Sequence, residues 1–483
     1  MNRKTLSIRE RRLRRFDPIA PLCLVAAVIL AGGNVCAMAN QQQLEWKAGI
    51  ASVVITPDQP MWMAGYAART KPSEGKIHDL HAKALALEDA RGGKLVILTL
   101  DLLGITREMR DWLEKEVSRR YQLPPEALLI NASHTHSGPV LHKPSESIYG
   151  DSFYGMNAEQ IEQSRDYTEK LLQKLADLVG EALEKPTPAR LAYTHARAGF
   201  AMNRRWRLEQ GYQISPNPDG PVDHDVPVLR IDDPNGNLKA LMFGYACHNT
   251  TLDSYKFCGD YAGFAQEYVE QEHPGATAFF VAGCGGDQNP YPRRGPRTLD
   301  YCMEHGRALA NAVEAALIPR ARPIAGPIRA VLDTVTLDFA EPPSREQLNE
   351  QAKSKNKYER RHAEILLSEL ERNGRIRTTY PYPIQVVQFG DDLAIVALAG
   401  EVVVDYSLRL KNELKDRTLW VAGYSNDVFG YLPSLRVLKE GGYEGGEAMR
   451  YTELPGPFAP SVETLVIDKV HELVKSLQTL KLN

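Results

Sequence analysis

The stretch ALLINASHTHSGP, from Ala127 to Pro139, joins an apolar run to a polar loop with two histidines. Its first residues are typical of a buried strand, and the loop follows where that strand would end. Similar apolar runs alternate with segments of helical periodicity, such as REMRDWLEKEVSRRY at 107–121 and the amphipathic segment at 167–185. This alternation predicts an α/β fold with mixed sheets.

Polar residues capable of chemistry follow the predicted strands closely. In α/β sheets, ligands bind beyond the carboxyl ends of the strands. We therefore predict that five or six strand ends converge on one active site. The residues and segments at these ends are Asp101, Asn131–His136, His248, GCGGDQNP at 283–290, Glu401 and GYSNDVFGY at 423–431.

The two histidines, His134 and His136, are separated by one residue. In an extended chain, residues two apart point to the same side, so both rings would face one pocket. Histidine acts as a metal ligand and as a proton carrier near neutral pH, which suits one ligand and one acid/base partner. The alternative interpretation is a pair of hydrogen-bonded histidines in a structural turn.

Two further residues favour a metal site over that alternative. Taken alone, His248 after a buried strand is typical of a core histidine. Glu401, however, lies between two apolar runs, and a buried carboxylate is costly unless it is paired or binds a metal. Two histidines, one carboxylate and an open position form a catalytic zinc site.

Other common chemistries lack their sequence signatures. The chain has no G-x-S-x-G elbow, no phosphate loop of the G-x-x-x-x-G-K-[ST] type and no H-E-x-x-H helix. The glycines of the 283–290 loop suit a close approach of backbone to a ligand, or a tight turn after a strand. They do not form a dinucleotide fingerprint, because no helix signal follows.

Length and composition indicate a globular protein with one large domain. The 483 residues are 43% hydrophobic and 25% charged, and no stretch reads as a linker, so residues 40–483 are predicted as one domain. The charged segment 345–374 carries an apolar stripe, which predicts a solvent-exposed helical arm.

The first 39 residues have the features of a secretory signal peptide. Seven basic and two acidic residues in Met1–Asp17 precede a short apolar run and Ala37-Met38-Ala39. The alternatives are an uncleaved membrane anchor and a twin-arginine export signal at Arg14-Arg15. We predict cleavage before Asn40 and a mature periplasmic or secreted protein without a membrane span. Cleavage changes the formal charge from −3 to −8, which does not suit nucleic-acid binding.

This export prediction is tested by mass spectrometry of the protein recovered from the periplasm or the medium. The mature N-terminus should be Asn40 or a near neighbour, because the A-x-A sequence places the cleavage site there. Exported protein that still begins at Met1 would show that the segment is an anchor.

Four cysteines follow the predicted signal peptide, and none of them forms a C-x-x-C pair, which argues against a zinc ribbon. In an oxidising compartment they allow up to two disulfides with three pairings, among which the sequence does not choose. They are Cys247, Cys258, Cys284 and Cys302.

Several motifs, taken together and in order, resemble the neutral, non-lysosomal ceramidases. They cover roughly residues 49–458. The motifs are GIASVVITP and MAGYAAR near the predicted mature start, HTHSGP at 134–139, MNRR at 202–205, ACHNTT, GDYAGFAQE, GCGGDQNP, AGEVVVDYS and the late YEGG at 443–446.

The resemblance implies a zinc amidase that cleaves the amide of ceramide or of a related N-acyl substrate, a class that includes lipids. It implies Zn²⁺ bound by His134, His248, Glu401 and Tyr431. It further implies that His136, Arg204 and Tyr443 stabilise an oxyanion or move the proton to the leaving amine, with metal-activated water as nucleophile.

The sequence departs from the family pattern in two ways. Because of them, the hydrolase chemistry of the family transfers to this chain better than its specificity for ceramide. Asn289 stands where the ceramidases have a serine, and asparagine is no nucleophile, so a serine-acyl mechanism is excluded at that position. The ceramidases also have a β-rich C-terminal domain, which we expect to be absent, and the sequence shows no apolar docking surface for a membrane-buried substrate. The rival hypotheses are a metal-binding protein without turnover and a hydrolase of another amide or an ester.

Overall fold

Two β-sheets lie face to face, with helices on their outer sides, in the computed structural model of this chain. The structure describes residues 46–142 and 155–479. The predicted signal peptide, residues 1–39, lies outside the described residues. The predicted α/β class is confirmed, whereas the extent of the domain stays a prediction.

The helices and strands of the described residues are as follows. The strands are β1 Trp46–Val54, β2 His81–Asp89, β3 Lys94–Leu100, β4 Leu128–Ala132, β5 Thr187–Arg197, β6 Ala201–Arg207, β7 Tyr212–Asn217, β8 Asp225–Asp232, β9 Leu238–Tyr245, β10 Thr277–Ala282, β11 Gln288–Pro290, β12 Arg322–Ile324, β13 Ile328–Asp338, β14 Thr379–Phe389, β15 Leu393–Leu398, β16 Glu401–Val402, β17 Leu419–Ala422 and β18 Tyr431–Leu432. The α-helices, renumbered in chain order, are α1 Arg107–Tyr121, α2 Ala158–Glu184, α3 Asp260–Glu272, α4 Thr298–Leu317, α5 Arg345–Gln351, α6 Lys357–Asn373, α7 Val404–Glu413, α8 Leu435–Glu440, α9 Gly442–Gly445 and α10 Val462–Thr479. Short 3₁₀ turns lie at Pro125–Ala127 and Glu447–Tyr451.

The larger sheet has the order β10-β9-β8-β5-β1-β2-β3-β4, with β12 beside β5. Its pairs β3–β4 and β9–β10 are parallel, and the other pairs are antiparallel. The second sheet, β13-β14-β15-β17, ends in the parallel pair β15–β17. Both sheets are therefore mixed, as the sequence predicts.

Alternate residues of the strands belong to two different cores. On β3, Leu95 and Ile97 face the second sheet, whereas Val96 and Leu98 face α1 and α2. The strands of the second sheet also have two buried faces, and Ile395 of β15 faces the first sheet. Successive strand side chains point to opposite faces, so a strand covered on both faces is apolar throughout. This explains why the strands appear as unbroken apolar runs in the sequence.

Periodicity predicts the bounds of the first helix correctly but places the start of the second helix too late. Helix α1 matches the predicted 107–121 and begins at the N-cap Thr106. Helix α2 begins at Ala158, nine residues before the predicted start at 167. A capping box formed by Asn157 and Gln160 fixes this earlier start, and the polar first turns carry too few apolar residues to reveal it.

The charged segment 345–374 was predicted as one solvent-exposed arm, and that prediction is wrong in two respects. It forms two helices, α5 and α6, because Asn356 caps a new helix by accepting from the Tyr358 amide. The segment is also attached to the body of the protein. The Tyr358 hydroxyl donates to the carbonyl of Ala67, and His362 bonds to the carbonyl of Leu454 at 2.7 Å.

The four described cysteines are free thiols buried in the core, so none of the three disulfide pairings is formed in this structure. Within the described part of the chain, the helices do not include one long and apolar enough to cross a membrane.

Candidate metal centre and active site

The carboxyl ends of strands from both sheets meet around the side chain of Asn131, which is fully buried. Its amide donates to the carbonyl of Gly423, after β17, at 2.8 Å, and its carbonyl oxygen accepts from the Ala282 amide, at the end of β10, at 2.8 Å. One asparagine thus joins the ends of β4, β10 and β17. The loops that follow these strands are held together at one place, as the strand-end argument predicts.

Asp101 does not take part in this convergence. Its carboxylate accepts from the backbone amide of His81 at 3.0 Å and holds the start of β2. The glycine loop 283–290 does take part, and its glycines pack closely against other backbone segments. A Cβ on Gly285 would lie 2.7 Å from the nitrogen of Cys247, and one on Gly286 would lie 2.5 Å from the carbonyl oxygen of Glu401. These glycines let three segments of backbone pack against one another.

His134 and His248 have the same arrangement of ring nitrogens. Nδ1 of His134 bonds to the carbonyl of Leu103 at 2.6 Å, and Nδ1 of His248 bonds to the carbonyl of Gly285 at 2.8 Å. A carbonyl only accepts, so each Nδ1 carries the proton and each Nε2 presents a lone pair. Metal-binding histidines are oriented by such a bond. The two Nε2 atoms are thus prepared as ligand atoms.

Glu401 and Tyr431 lie beside these nitrogens. One carboxylate oxygen of Glu401, Oε2, is 3.2 Å from Nε2 of His134 and 3.0 Å from Nε2 of His248. The parallel pairing of β16 with β18 places Tyr431 opposite Glu401, and the Tyr431 hydroxyl is 3.3 Å from Nε2 of His248. The four side chains of the predicted metal site are therefore adjacent, although they come from positions up to 297 residues apart in the chain.

The donor set fits a divalent cation. Two lone-pair nitrogens and a carboxylate oxygen face one another without a proton to share, and a cation between them removes the repulsion. Two histidines and one carboxylate are a ligand set of catalytic zinc. Burial and the nearby Arg204 guanidinium lower the pKa of His248 to about 3, so its ring is neutral at pH 7.

A second ligand set overlaps the first. Nitrogen atoms of His134, His136 and His248 all lie within 4.8 Å of one another, which is close enough for one ion. Nε2 of His136 is 3.2 Å from Nε2 of His134. Nδ1 of His136, however, has no hydrogen-bond partner among the described residues, so nothing orients this ring as the carbonyls orient the other two. The geometry favours His134 and His248 as ligands and leaves His136 able to exchange a proton.

The two histidines of the HTH motif meet by a route other than the predicted one. The backbone between them is not extended, because His134 has φ 58°, in the left-handed region. The rings still meet, with centroids 4.9 Å apart. Gly65 makes this possible, since a Cβ there would lie 2.5 Å from the ring of His136. Tyr66 packs against the same ring at 4.7 Å.

Arg204 lies next to the predicted metal site, and each of its three guanidinium nitrogens donates a hydrogen bond. Its Nη2 group donates to the Tyr431 hydroxyl at 2.8 Å, and its Nη1 group donates to Oδ1 of Asn289 at 3.2 Å. Tyr443 completes the cluster, with its ring 5.4 Å from that of Tyr431. Asn289 is fully buried and contacts Arg204 rather than open space.

A cavity of about 340 Å³ opens over these groups. We call the group of His134, His136, Glu401, Tyr431 and Tyr443 the polar end of the cavity. Most of the remaining wall is apolar, and the sequence analysis did not foresee this apolar lining. It includes Leu103, Ile105, Met109, Val140, Leu141, Val428 and Phe429.

Sequence reasoning missed residues that hold the site rather than form it. Tyr424 stacks on His134 with centroids 4.4 Å apart, and Glu444 bonds to Arg204 at 2.8 Å. Both lie in motifs that had been singled out, GYSNDVFGY and YEGG. The available signal was that Tyr424 shares a motif with the predicted ligand Tyr431 and that Glu444 directly follows the predicted catalytic residue Tyr443.

Comparison with known proteins identifies the family of this chain. The family model "Neutral/alkaline non-lysosomal ceramidase, N-terminal" matches residues 46–308, more than half of the chain. The chain belongs to the neutral/alkaline non-lysosomal ceramidase family. Among curated proteins, this ceramidase-family chain is similar to neutral ceramidase A of Dictyostelium discoideum, with 25% identity over 260 residues. It is also similar to neutral ceramidase B of the same organism, with 26% identity over 252 residues. Each match covers 49% of this chain and 34% of the relative, so the chain matches about a third of their length.

Solved ceramidase structures share the fold of this family member. One, described as a ceramidase complexed with C2, has a TM-score of 0.71 at 17% identity and covers 90% of this chain and 76% of its own. The neutral ceramidase of Pseudomonas aeruginosa has a TM-score of 0.68 at 18% identity, with 89% and 74% covered. The architecture described above is therefore that of the ceramidases.

Proposed function

We propose that this chain is an exported zinc-dependent hydrolase that cleaves the amide bond of an N-acyl substrate, ceramide or a related lipid amide. One observation carries the proposal: lone-pair nitrogens of His134 and His248 and the carboxylate of Glu401 face one another at the polar end of an apolar cavity. Family membership supports amide hydrolysis, and the apolar wall suits an acyl chain.

His134, His248 and Glu401 would hold the zinc ion, with Tyr431 as the fourth ligand. When bound, zinc polarises a carbonyl oxygen and lowers the pKa of water toward neutrality. His136 would take up and release a proton at Nε2, which faces this group. Arg204 donates to the Tyr431 hydroxyl and holds positive charge beside it, and Tyr443 lines the cavity. These groups would stabilise the developing oxyanion and guide the proton to the leaving amine.

The test is turnover of a fluorescent N-acyl substrate by purified protein, with metal analysis of the same sample. We expect about one zinc per chain, hydrolysis that a chelator abolishes, and recovery when zinc is restored. A panel of ceramides, other N-acyl amines and matched esters would identify the preferred bond. Zinc-loaded protein that hydrolyses none of them would support the rival hypothesis of a metal-binding protein without turnover.

The hypothesis of a metal-binding protein without turnover rests on Asn289, which replaces the serine of the ceramidases. Its hydrogen bond to Arg204 indicates that it supports Arg204. Because Asn289 bonds to Arg204 and does not line the cavity, Asn289→Ala should lower kcat by about 10- to 100-fold and leave zinc content unchanged. Asn289→Ser, which introduces the residue that the ceramidases have, is the matched control and should stay near wild type. A loss above about 10,000-fold with zinc retained would mean that Asn289 acts on the substrate itself.

A further inference from the structure

Glu444 is a buried carboxylate placed between two buried guanidinium groups. Its side chain is 2% exposed, as is that of Arg205, and that of Arg204 is 5% exposed. Oε1 of Glu444 accepts from Nε of Arg204 at 2.8 Å, and Oε2 accepts from Nη1 of Arg205 at 2.6 Å. A buried carboxylate is stable only with such partners. The two arginines therefore fix the position of Glu444, and Glu444 fixes theirs.

The contacts of Arg204 show what this carboxylate does for the site. Each nitrogen of the Arg204 guanidinium has one acceptor: Glu444 at Nε, Asn289 at Nη1 and the Tyr431 hydroxyl at Nη2. The group is planar, so fixing two of its nitrogens fixes the direction of the third. Of the two supporting acceptors, Glu444 is charged and closer, at 2.8 Å against 3.2 Å for Asn289. Glu444 therefore provides most of the orientation.

The short helix α9 presents neighbouring residues to the two sides of this arrangement. Tyr443 reaches the polar end of the cavity, and Glu444 reaches the arginines behind it. Arg205 ties the start of the helix down by donating to the carbonyl of Gly441 at 2.7 Å. Gly445 packs closely, because a Cβ there would lie 2.7 Å from the carbonyl oxygen of Val437. The helix is thus fixed from both ends.

We propose that Glu444 is a positioning residue that aims the Arg204 guanidinium at the Tyr431 hydroxyl and so sets the charge beside the reacting carbonyl. The inference rests on the proposed function. It assigns no contact between Glu444 and substrate, because Glu444 does not line the cavity.

The test compares Glu444→Gln with Glu440→Gln. Glutamine keeps the shape of Glu444, but its NH₂ group must face one of the two guanidinium donors and turn it away. We expect kcat to fall by about 10- to 100-fold with KM and zinc content unchanged. Glu440 pairs with Arg205 and Arg436 but not with Arg204, so it belongs to the same ionic cluster without the proposed contact. Glu440→Gln should retain wild-type kcat.

A double-mutant cycle separates positioning from a general structural role. In an Arg204→Ala background, Glu444→Gln should cause no further loss of kcat, because the group that it positions is gone. A crystal structure of the Glu444→Gln variant should show the Arg204 guanidinium moved away from the Tyr431 hydroxyl. Thermal unfolding verifies that the variants fold. If Glu444→Gln does not fold, Glu444→Asp keeps the charge, and its effect should likewise vanish in the Arg204→Ala background.

Failure of this inference is distinguishable from failure of the proposed function. Wild-type protein that hydrolyses no N-acyl substrate overturns the proposed function. Active wild type with a fully active Glu444→Gln variant, or with equal losses in both backgrounds, overturns the positioning role alone.

Discussion

Replacing His134 with alanine should remove bound zinc and abolish hydrolysis. Nε2 of His134 faces both Glu401 and His136, so its loss removes the nitrogen that the other groups of the cluster share. Only His248, Glu401 and Tyr431 would remain, a set with a single nitrogen donor, whereas zinc sites of this type use two histidines and one carboxylate. Metal analysis after dialysis should find about one zinc per wild-type chain and almost none in the variant.

His305→Ala is the matched control for this prediction. His305 is also buried and also bonds to a backbone carbonyl, that of Pro292 at 2.8 Å, but it lies outside the cluster. Its loss should leave zinc content unchanged even if the unfolding temperature falls. Zinc retained at full occupancy in folded His134→Ala would exclude His134 as a ligand.

Replacing His136 with alanine should also lose turnover, but the variant should retain its zinc. The Nδ1 of this ring has no partner among the described residues, and its Nε2 faces the cluster, as suits a group that takes up and releases a proton. Loss of a positioned acid or base costs about 100- to 10,000-fold in rate. Single-turnover kinetics and metal analysis on one sample would measure both properties.

The two histidine variants decide between the overlapping ligand sets. If the ion is held by His134, His136 and His248 instead, His136→Ala should lose zinc as His134→Ala does. If His136→Ala loses zinc and His134→Ala keeps it, the two roles are reversed. If neither change affects turnover, the HTH motif is structural and the proposed zinc site and its mechanism are wrong.

Much of the fold was predictable because it depends on local pattern. Helix α1 has the predicted bounds, since burial repeats with the period of a helix. The convergence of Asn131, His248 and Glu401 followed from one general rule about strand ends. That rule needs only the order of strands and loops, and the sequence contains that order.

The missed features depend on contacts between distant segments. The cavity wall takes Leu103, Val140 and Phe429 from separate loops, and no periodicity links them. The ring of His136 requires the space that Gly65 leaves, 71 residues earlier. The pairing of Glu444 with Arg204 spans 240 residues. Such contacts are set by the packing of the whole domain, which sequence pattern does not encode locally.

The core between the two sheets has a consequence for how the protein folds. The region matched by the family model ends at residue 308, before the second sheet begins. In a fragment cut there, residues such as Leu95, Ile97 and Phe279 would lose their cover and leave a broad apolar surface in water. Such a fragment should aggregate rather than behave as an independently folding unit. The two halves of the chain must pack together before His134, His248, Glu401 and Tyr431 can meet, so under the proposed function the metal would bind late in folding.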